Sequence, residues 1–354
     1  MRTPIPRLYL GTMTWAWSGQ TSSIVDEKIA LEMTKKFMAY NHATGETTHL
    51  LDTARVYASG KTEPMVGDVL KKLGPDSAKH VFVGTKANPA VEGGLTQKGI
   101  HDQIKTSMDA MDLSNLGEYY LHQPDTEHSL LESLRTCHEL VTDGTIQTIA
   151  MSNYHAHEVD RAFQLCKEHK LTPPKVYQGL YNPLNRLVED ELLPLLHKNG
   201  CSFVAYNPLA AGLLAGKHKN VNEVSEGRFK DNSNYLPRFY TDANFQALEL
   251  IRQACEKEGI SMIEASYRWL LRHSTLKTTD GILLGASSLS QLDENLAACN
   301  AAAEKGPLSD QLLAAFDKAW EITKAGAFPY WRSYSSDFPN RENLDPGASY
   351  TVKK

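Results

Sequence analysis

Two hydrophobic rhythms alternate along this chain. Ile29, Met33, Phe37 and Tyr40 recur every three or four positions after Asp26, with Gly45 beyond them. This is the spacing of one buried helix face between an acidic cap and a glycine stop. Short apolar runs stand on either side, Leu8-Tyr9-Leu10 before it and His49-Leu50-Leu51 after it, as strands covered on both faces read. The same exchange continues downstream. Residues 7–14, 49–53, 81–86, 117–122, 145–151, 175–178, 201–206 and 281–284 are the predicted strands, and helices are expected over 63–73, 97–111, 129–141, 157–169, 189–198 and 244–273. Strand, helix, strand at intervals of about 30 residues favours a parallel α/β sheet, and eight strands favour its closure into a (β/α)8 TIM barrel. The C-terminal ends of the strands then share one mouth, where residues distant in sequence form one site.

Three stretches interrupt the rhythm. Residues 87–98 contain Pro89, Gly93 and Gly94 and read as a mobile mouth loop; residues 210–241 form a polar insertion too long for a simple connector, a candidate lid or cofactor clamp. Residues 331–354 are rich in Ser, Pro, Asn and Tyr. The expected division is one barrel domain over 1–332 and a tail over 333–354, extended or partly ordered over the barrel.

Bulk properties narrow the function classes. With 354 residues and 41% apolar content, the chain accommodates one barrel of roughly 250 residues with insertions. A net charge of −5, a pI near 6.2 and no Lys/Arg block longer than two leave no footprint for nucleic acid or an anionic membrane. No apolar run approaches the roughly 18 residues of a membrane span, and residues 1–6 lack a signal-peptide core, so the expected location is cytoplasmic. Cys137, Cys166, Cys201, Cys255 and Cys299 are widely spaced without a CxxC, as buried reduced thiols are. His155 and His157 have the spacing of some metal pairs but no third ligand; they read as helix-start residues, and no metal is expected.

Polar groups stand at the strand ends. Asp52 and Tyr57 lie five residues apart in Leu-Asp-Thr-Ala-Arg-Val-Tyr; Lys86 closes the third run, His122 the fourth, and Ser152-Asn153 follow the fifth. Tyrosine near pKa 10 is a weak acid at neutral pH unless a cation stabilises its phenolate. Lys86 could supply that cation, Asp52 could keep it charged, and His122 could hydrogen-bond a carbonyl. Such a group can protonate an oxygen as hydride reaches the adjacent carbon, but no side chain supplies hydride, so a nicotinamide is implied. Yet G-x-G-x-x-G is absent, and Gly212-Leu213-Leu214-Ala215-Gly216-Lys217 is one residue short of a P-loop.

In order, type and spacing, Asp52, Tyr57, Lys86 and His122 resemble the catalytic tetrad of the aldo-keto reductases, over about residues 8–332. Gln178-Gly179-Leu180-Tyr181-Asn182, Tyr206-Asn207-Pro208-Leu209 and Gly285-Ala286-Ser287-Ser288-Leu289 look most like the aflatoxin-aldehyde and succinic-semialdehyde reductase branch. The resemblance implies NADP(H) extended across the mouth: Asp52 beside it, Ser152, Asn153 and Gln178 at the carboxamide, Tyr206 stacked on the nicotinamide, and Asn207, Pro208, Leu209, Gly212, Leu213, Gly216 and Lys217 around the pyrophosphate with Arg228. Gly285, Ser287, Ser288, Gln291 and Asn295 would hold the adenosine end, where a helix start also favours phosphate. Many relatives carry a basic residue at Gln291, and Ala211 replaces a glycine common in the loop. By the same resemblance Tyr57, His122, Tyr235, Arg238 and Arg332 bind substrate, the guanidinium fork suiting a carboxylate, and a homodimer is implied. Relatives tend to end near Arg332, so the following 22 residues depart from the pattern. Trp15 and Trp17 are read either as pocket wall or as packing at the barrel end.

The expected function is NADPH-dependent reduction of a small-molecule aldehyde, carboxylated or dicarbonyl, with Tyr57 as proton donor. Two other readings compete. A non-catalytic channel-associated β-subunit-like protein shares the barrel and retains a cofactor, although a carboxylate clamp has no purpose there. A Schiff-base aldolase would use Lys86 as nucleophile, which needs a neutral lysine and is disfavoured by Asp52.

Overall fold

The computed structural model describes residues 2–17, 24–218, 220, 221, 224, 229, 230, 232 and 235–348. Eight parallel strands close into a barrel in sequence order: β1 (Arg7–Gly11), β2 (His49–Asp52), β3 (Val81–Ala87), β4 (Leu116–Leu121), β5 (Ile146–Ser152), β6 (Val176–Leu180), β7 (Ser202–Tyr206) and β8 (Gly281–Gly285). The helices are α1 (Glu27–Thr44), α2 (Thr62–Leu73), the single turn α3 (Pro75–Ala78), α4 (Gln97–Met111), α5 (Leu130–Thr142), α6 (Ala156–His169), α7 (Leu192–Lys198), the single turn α8 (Leu236–Phe239), α9 (Asp242–Glu258), α10 (Met262–Arg272), α11 (Leu289–Glu304) and α12 (Asp310–Thr323). The (β/α)8 expectation holds, and the predicted strands coincide with the observed ones to within a few residues.

Strand alternation separates two cores. Leu8, Leu10, Leu51, Val83, Tyr119, Leu121, Ile149 and Met151 face outward into the main core with the helices. Tyr9, Tyr120, Ala150, Val176, Val204 and Leu283 face inward as a second cluster, the side-chain period of two expected of strands. The register places Asp52 level with Gly11 and Gly84, Lys86 with Tyr120, and Ser152 with Gln178. All point into the barrel near its mouth.

Capping sets the helix starts. Asp26 accepts from the Ile29 N–H, Thr96 from Gly99 and Ser309 from Leu312, satisfying donors that a first turn leaves open. Caps also correct one expectation, because the single helix over 244–273 is two. Gly259 turns left-handed at φ 63° and ends α9, and Ser261 caps α10 through the Glu264 N–H. His155 caps α6 by accepting from the His157 N–H, which gives the pair the helix-start place read from the sequence. All five cysteines are buried free thiols. Among the described residues no helix is long and apolar enough to cross a membrane, and no His/Cys/Asp/Glu group could hold a metal.

From Trp331 to Ala348 the chain runs across the starts of α5 and α6 as a strap. Arg332 N–H donates to the Asn153 carbonyl at 2.8 Å and Ser336 N–H to that of Asp125 at 3.0 Å. Asp337 accepts from Ser129 Oγ, the Leu130 N–H and the Arg161 guanidinium. Ser335 N–H donates to buried Glu158 Oε1 at 2.8 Å, while Glu158 Oε2 has no hydrogen-bond partner among the described residues.

Candidate active site

The floor of the mouth is a dry ion pair. Lys86 Nζ donates to both oxygens of Asp52 and to the Thr53 carbonyl, each at 2.7 Å, using all three ammonium protons. Gln178 Nε2 donates to Asp52 Oδ2 at 2.8 Å. Asp52 is 3% and Lys86 1% exposed, so each charge relies on the other for what water would give. Burial pulls the lysine below its ordinary pKa, and Asp52, then Glu118 and Glu63, oppose that fall.

Tyr57 reaches the floor through a strained turn. After β2 the chain bends at Tyr57–Gly60 with Ala58 at φ 47° and Ser59 at φ 55°, conformations that cost non-glycine residues free energy. A strut over-determines the bend: Arg55 Nη1 donates to buried Glu63 Oε2 at 2.8 Å, and Thr85 Oγ1 donates to Glu63 Oε1 at 2.7 Å. The Lys86 ammonium lies 5.4 Å from the Tyr57 ring centroid. His122 follows β4, its N–H held by the Ala87 carbonyl at 3.0 Å. Burial first, then the charges of Lys86 and Arg332, hold its imidazole well below the usual pKa, so it is neutral and can donate one N–H.

Across the floor Asn153 ties three elements together. Its amide N–H groups donate to the His122 carbonyl and Ser152 Oγ, both at 2.9 Å, and its oxygen accepts from the Tyr206 hydroxyl at 3.0 Å. The Tyr206 ring then faces the cavity. The loop after β7 runs left-handed at Asn207 (φ 53°), Ala210 (φ 48°) and Ala211 (φ 58°), so Ala211 adopts a backbone that glycine would reach without strain. At the far end Gln291 Oε1 accepts from Ser287 N–H and Oγ, and Asn295 Nδ2 donates to the Gly285 carbonyl. These groups line one cavity of about 670 Å³, within the range of cofactor sites. The lining suits a dinucleotide: a planar ring and amides at one end, a cation-bearing loop along one side, and the start of α11 at the other end.

The Aldo/keto reductase family model matches residues 7–321, nearly the whole barrel. The chain belongs to that family. It is 35% identical over 339 residues to aflatoxin B1 aldehyde reductase member 2 of Mus musculus, covering 92% of this chain and 88% of the relative. It is also 35% identical over 320 residues to human aldo-keto reductase family 7 member A3, covering 87% and 93%. Oxidoreductase sirO of Leptosphaeria maculans is 34% identical over 288 residues, covering 79% and 84%. This aldo/keto reductase is therefore an oxidoreductase of a family that uses nicotinamide cofactors.

Most residues read as site residues from sequence reach the wall of this aldo/keto reductase's cavity: Asp52, Tyr57, His122, Ser152, Asn153, Gln178, Tyr206, Asn207, Pro208, Leu209, Gly212, Lys217, Gly285, Ser287, Gln291 and Asn295, with Tyr235 and Arg332. Others stand off it for identifiable reasons. Lys86 lies behind Asp52, Leu213 is buried in the core, and Gly216 ends a helical turn. Ser288 Oγ is engaged as the α11 cap, accepting from the Gln291 N–H, and Arg238 stacks on Phe328 with Cζ 4.2 Å from the ring centroid. Arg228 lies outside the described residues. Trp17 is on the wall with its ring 6.2 Å from that of Tyr57, whereas Trp15 is fully buried packing. Glu294, Ile263 and Tyr267 line the cavity unanticipated. For Glu294 a signal existed, since it lies three residues after Gln291 on one helix face.

Near Tyr57 and His122 two guanidinium groups sit among aromatic rings. Arg332 Nη1 donates to Gln123 Oε1 at 2.6 Å. Burial lowers Arg332 to about 9 and Arg238 to about 10, with Tyr206 the foremost group opposing each fall. A desolvated cation of this kind favours an anionic ligand.

Proposed function

We propose that this aldo/keto reductase reduces aldehydes bearing a carboxylate or second carbonyl to alcohols, using NADPH, with Tyr57 as proton donor. The observation that carries the reading is the convergence of Tyr57, His122 and the Asp52–Lys86 pair at one end of a cavity suited to a dinucleotide. The relatives named for aflatoxin B1 aldehyde reduction support the aldehyde class.

A nicotinamide held by these residues would supply the hydride. The protein's residues supply the rest. Lys86, kept charged by Asp52, favours the phenolate form left when Tyr57 gives its proton to the carbonyl oxygen. Neutral His122 donates to the same oxygen and fixes its position without competing as an acid. Gln178 would hold the carboxamide with Ser152, while Asn153 acts mainly through the groups it ties, Tyr206 and His122. Lys217 and the α11 start would meet the phosphates, with Ser287, Gln291 and Asn295 around adenosine. Arg332, with Arg238 behind it and Tyr235 beside it, would take the substrate carboxylate.

The test follows loss of reduced-nicotinamide absorbance with succinic semialdehyde, 2-carboxybenzaldehyde and an uncharged nitrobenzaldehyde, using NADPH and NADH in turn. Turnover preferring NADPH and the two acids is expected. Cofactor binding without turnover of any aldehyde would refute the enzymatic reading and favour a cofactor-retaining partner subunit.

A further inference from the structure

One layer below the floor, the barrel holds a second polar cluster that this chemistry does not use. On β4 Tyr120 is level with Lys86 and Glu118 with Gly84. The Tyr9 hydroxyl donates to Glu118 Oε1 at 2.9 Å, and the Tyr120 hydroxyl donates to Glu118 Oε2. Both tyrosines are at most 1% exposed. Glu118 itself is half-buried, and a carboxylate set this far into the barrel is costly unless its lone pairs are met.

The barrel is shaped around the cluster. A Cβ at Gly84 would stand 3.3 Å from the Glu118 Cβ and 3.4 Å from the Tyr120 ring; one at Gly281 would lie 2.7 Å from the Tyr9 ring. Two glycines on separate strands thus leave room for one glutamate and two phenols. The cluster also reaches the floor, because Lys86 Nζ lies 5.1 Å from the Tyr120 ring centroid as well as 5.4 Å from that of Tyr57. A ring whose hydroxyl donates to a carboxylate is richer in electrons, and an ammonium against it is held more strongly.

The charged and titratable groups around the cluster are Lys86 and Asp52 above it, Arg7 towards the other barrel end, and Tyr9 and Tyr120 themselves. Burial raises the Glu118 carboxyl and the two phenol donors oppose that rise. After Asp52, Glu118 is the next charge that favours the ammonium form of Lys86.

Building on the reductase reading, we infer that Glu118, seated on Tyr9 and Tyr120, is a positioning residue for the proton donor: a second counter-charge that holds Lys86 charged at Tyr57 from inside the barrel. Removing its charge makes the coupled Tyr57–Lys86 pair release its first proton at lower pH.

The test uses the isosteric variant Glu118→Gln in the full chain, with two readouts. In the pH profile of kcat the alkaline limb is expected to move to lower pH by roughly half a unit to one unit. In a double-mutant cycle with Lys86→Met, read by urea unfolding without cofactor or substrate, Glu118→Gln should lower the folding equilibrium constant about three- to tenfold more when Lys86 is present than when it is Met. Equal costs in the two backgrounds would overturn the inference and leave Glu118 a structural carboxylate. The cycle needs no turnover, so it still decides if no aldehyde is reduced and the reductase reading itself fails. Should Glu118→Gln not fold, Glu118→Met removes the same charge at similar volume; it should show the same Lys86-dependent cost, and its absence would overturn the inference equally.

Discussion

Replacing Asp52 by Asn tests the floor of the site most directly, because it removes one charge and almost no volume. The pair it breaks has a 2.7 Å contact between side chains that are 1% and 4% exposed. Truncating one partner of such a pair costs about 3–5 kcal/mol. The lower end is expected, since the Asn oxygen and the Thr53 carbonyl still accept from Lys86 and the lysine can shed its proton. That escape fixes the pH dependence. Burial already lowers Lys86 in the intact protein, and without Asp52 it falls further. A lysine whose native pKa lies below the unfolded value of about 10.4 binds fewer protons folded than unfolded across that interval, so stability rises with pH by about 1.4 kcal/mol per unit. The deficit of Asp52→Asn should therefore be about 3 kcal/mol near pH 7 and shrink markedly towards pH 10. Urea unfolding at both pH values, with the slope checked for constancy, measures it. A deficit below about 1 kcal/mol near pH 7, or one equal at both pH values, would refute the premise that Asp52 keeps a desolvated lysine charged.

Three further outcomes are expected. Tyr57→Phe should lower kcat by about 10²–10⁴-fold while NADPH affinity, read by fluorescence quenching, stays within about twofold; a matching loss of cofactor binding would contradict the assigned role. Arg332→Ala should raise KM for carboxylated aldehydes about tenfold or more and leave an uncharged aldehyde nearly unaffected; equal effects would remove the clamp. Glu158, raised to about 7 by burial, keeps a proton that the unfolded chain releases near pH 4.3, so stability falls as pH rises from about 4.3 to about 7. Glu158→Gln should then raise Tm relative to the parent near pH 8 and leave it unchanged near pH 4, with a pH-independent difference counting against a buried titrating carboxyl.

What the sequence disclosed follows from how local each signal was. Alternating periods marked all eight strands because both faces of each are covered, and Asp52, Lys86, His122 and Ser152 were legible because strand ends in such a barrel must converge. Segmentation around Gly259 was missed: the apolar positions of α9 and α10 continue across the break, and only the glycine followed two residues later by Ser261 marks it. Helix α12 carried no strand after it and so no alternation to announce it. The engagement of the Asn153 amide with His122, Ser152 and Tyr206 could not be read at all, since it depends on three strand ends meeting. Glu118 was hidden for a similar reason. Within Gly117-Glu118-Tyr119-Tyr120 it has the look of a solvated strand residue, and only the glycine at position 84 on the neighbouring strand makes an interior place for it.

The strap that brings Arg332 to the Asn153 carbonyl has a consequence for the order in which the protein acquires its capacities during synthesis. Asp52, Tyr57, Lys86 and His122 all leave the ribosome within the first 122 residues, yet β1 has no partner on its open side until β8 emerges at residues 281–285. Assembly of the cavity therefore waits for closure, and the proposed carboxylate clamp waits longer still, for residues 332–348. A nascent chain passes through a stage at which the barrel is shut and the floor assembled while the guanidinium that would recognise an acid is still unmade.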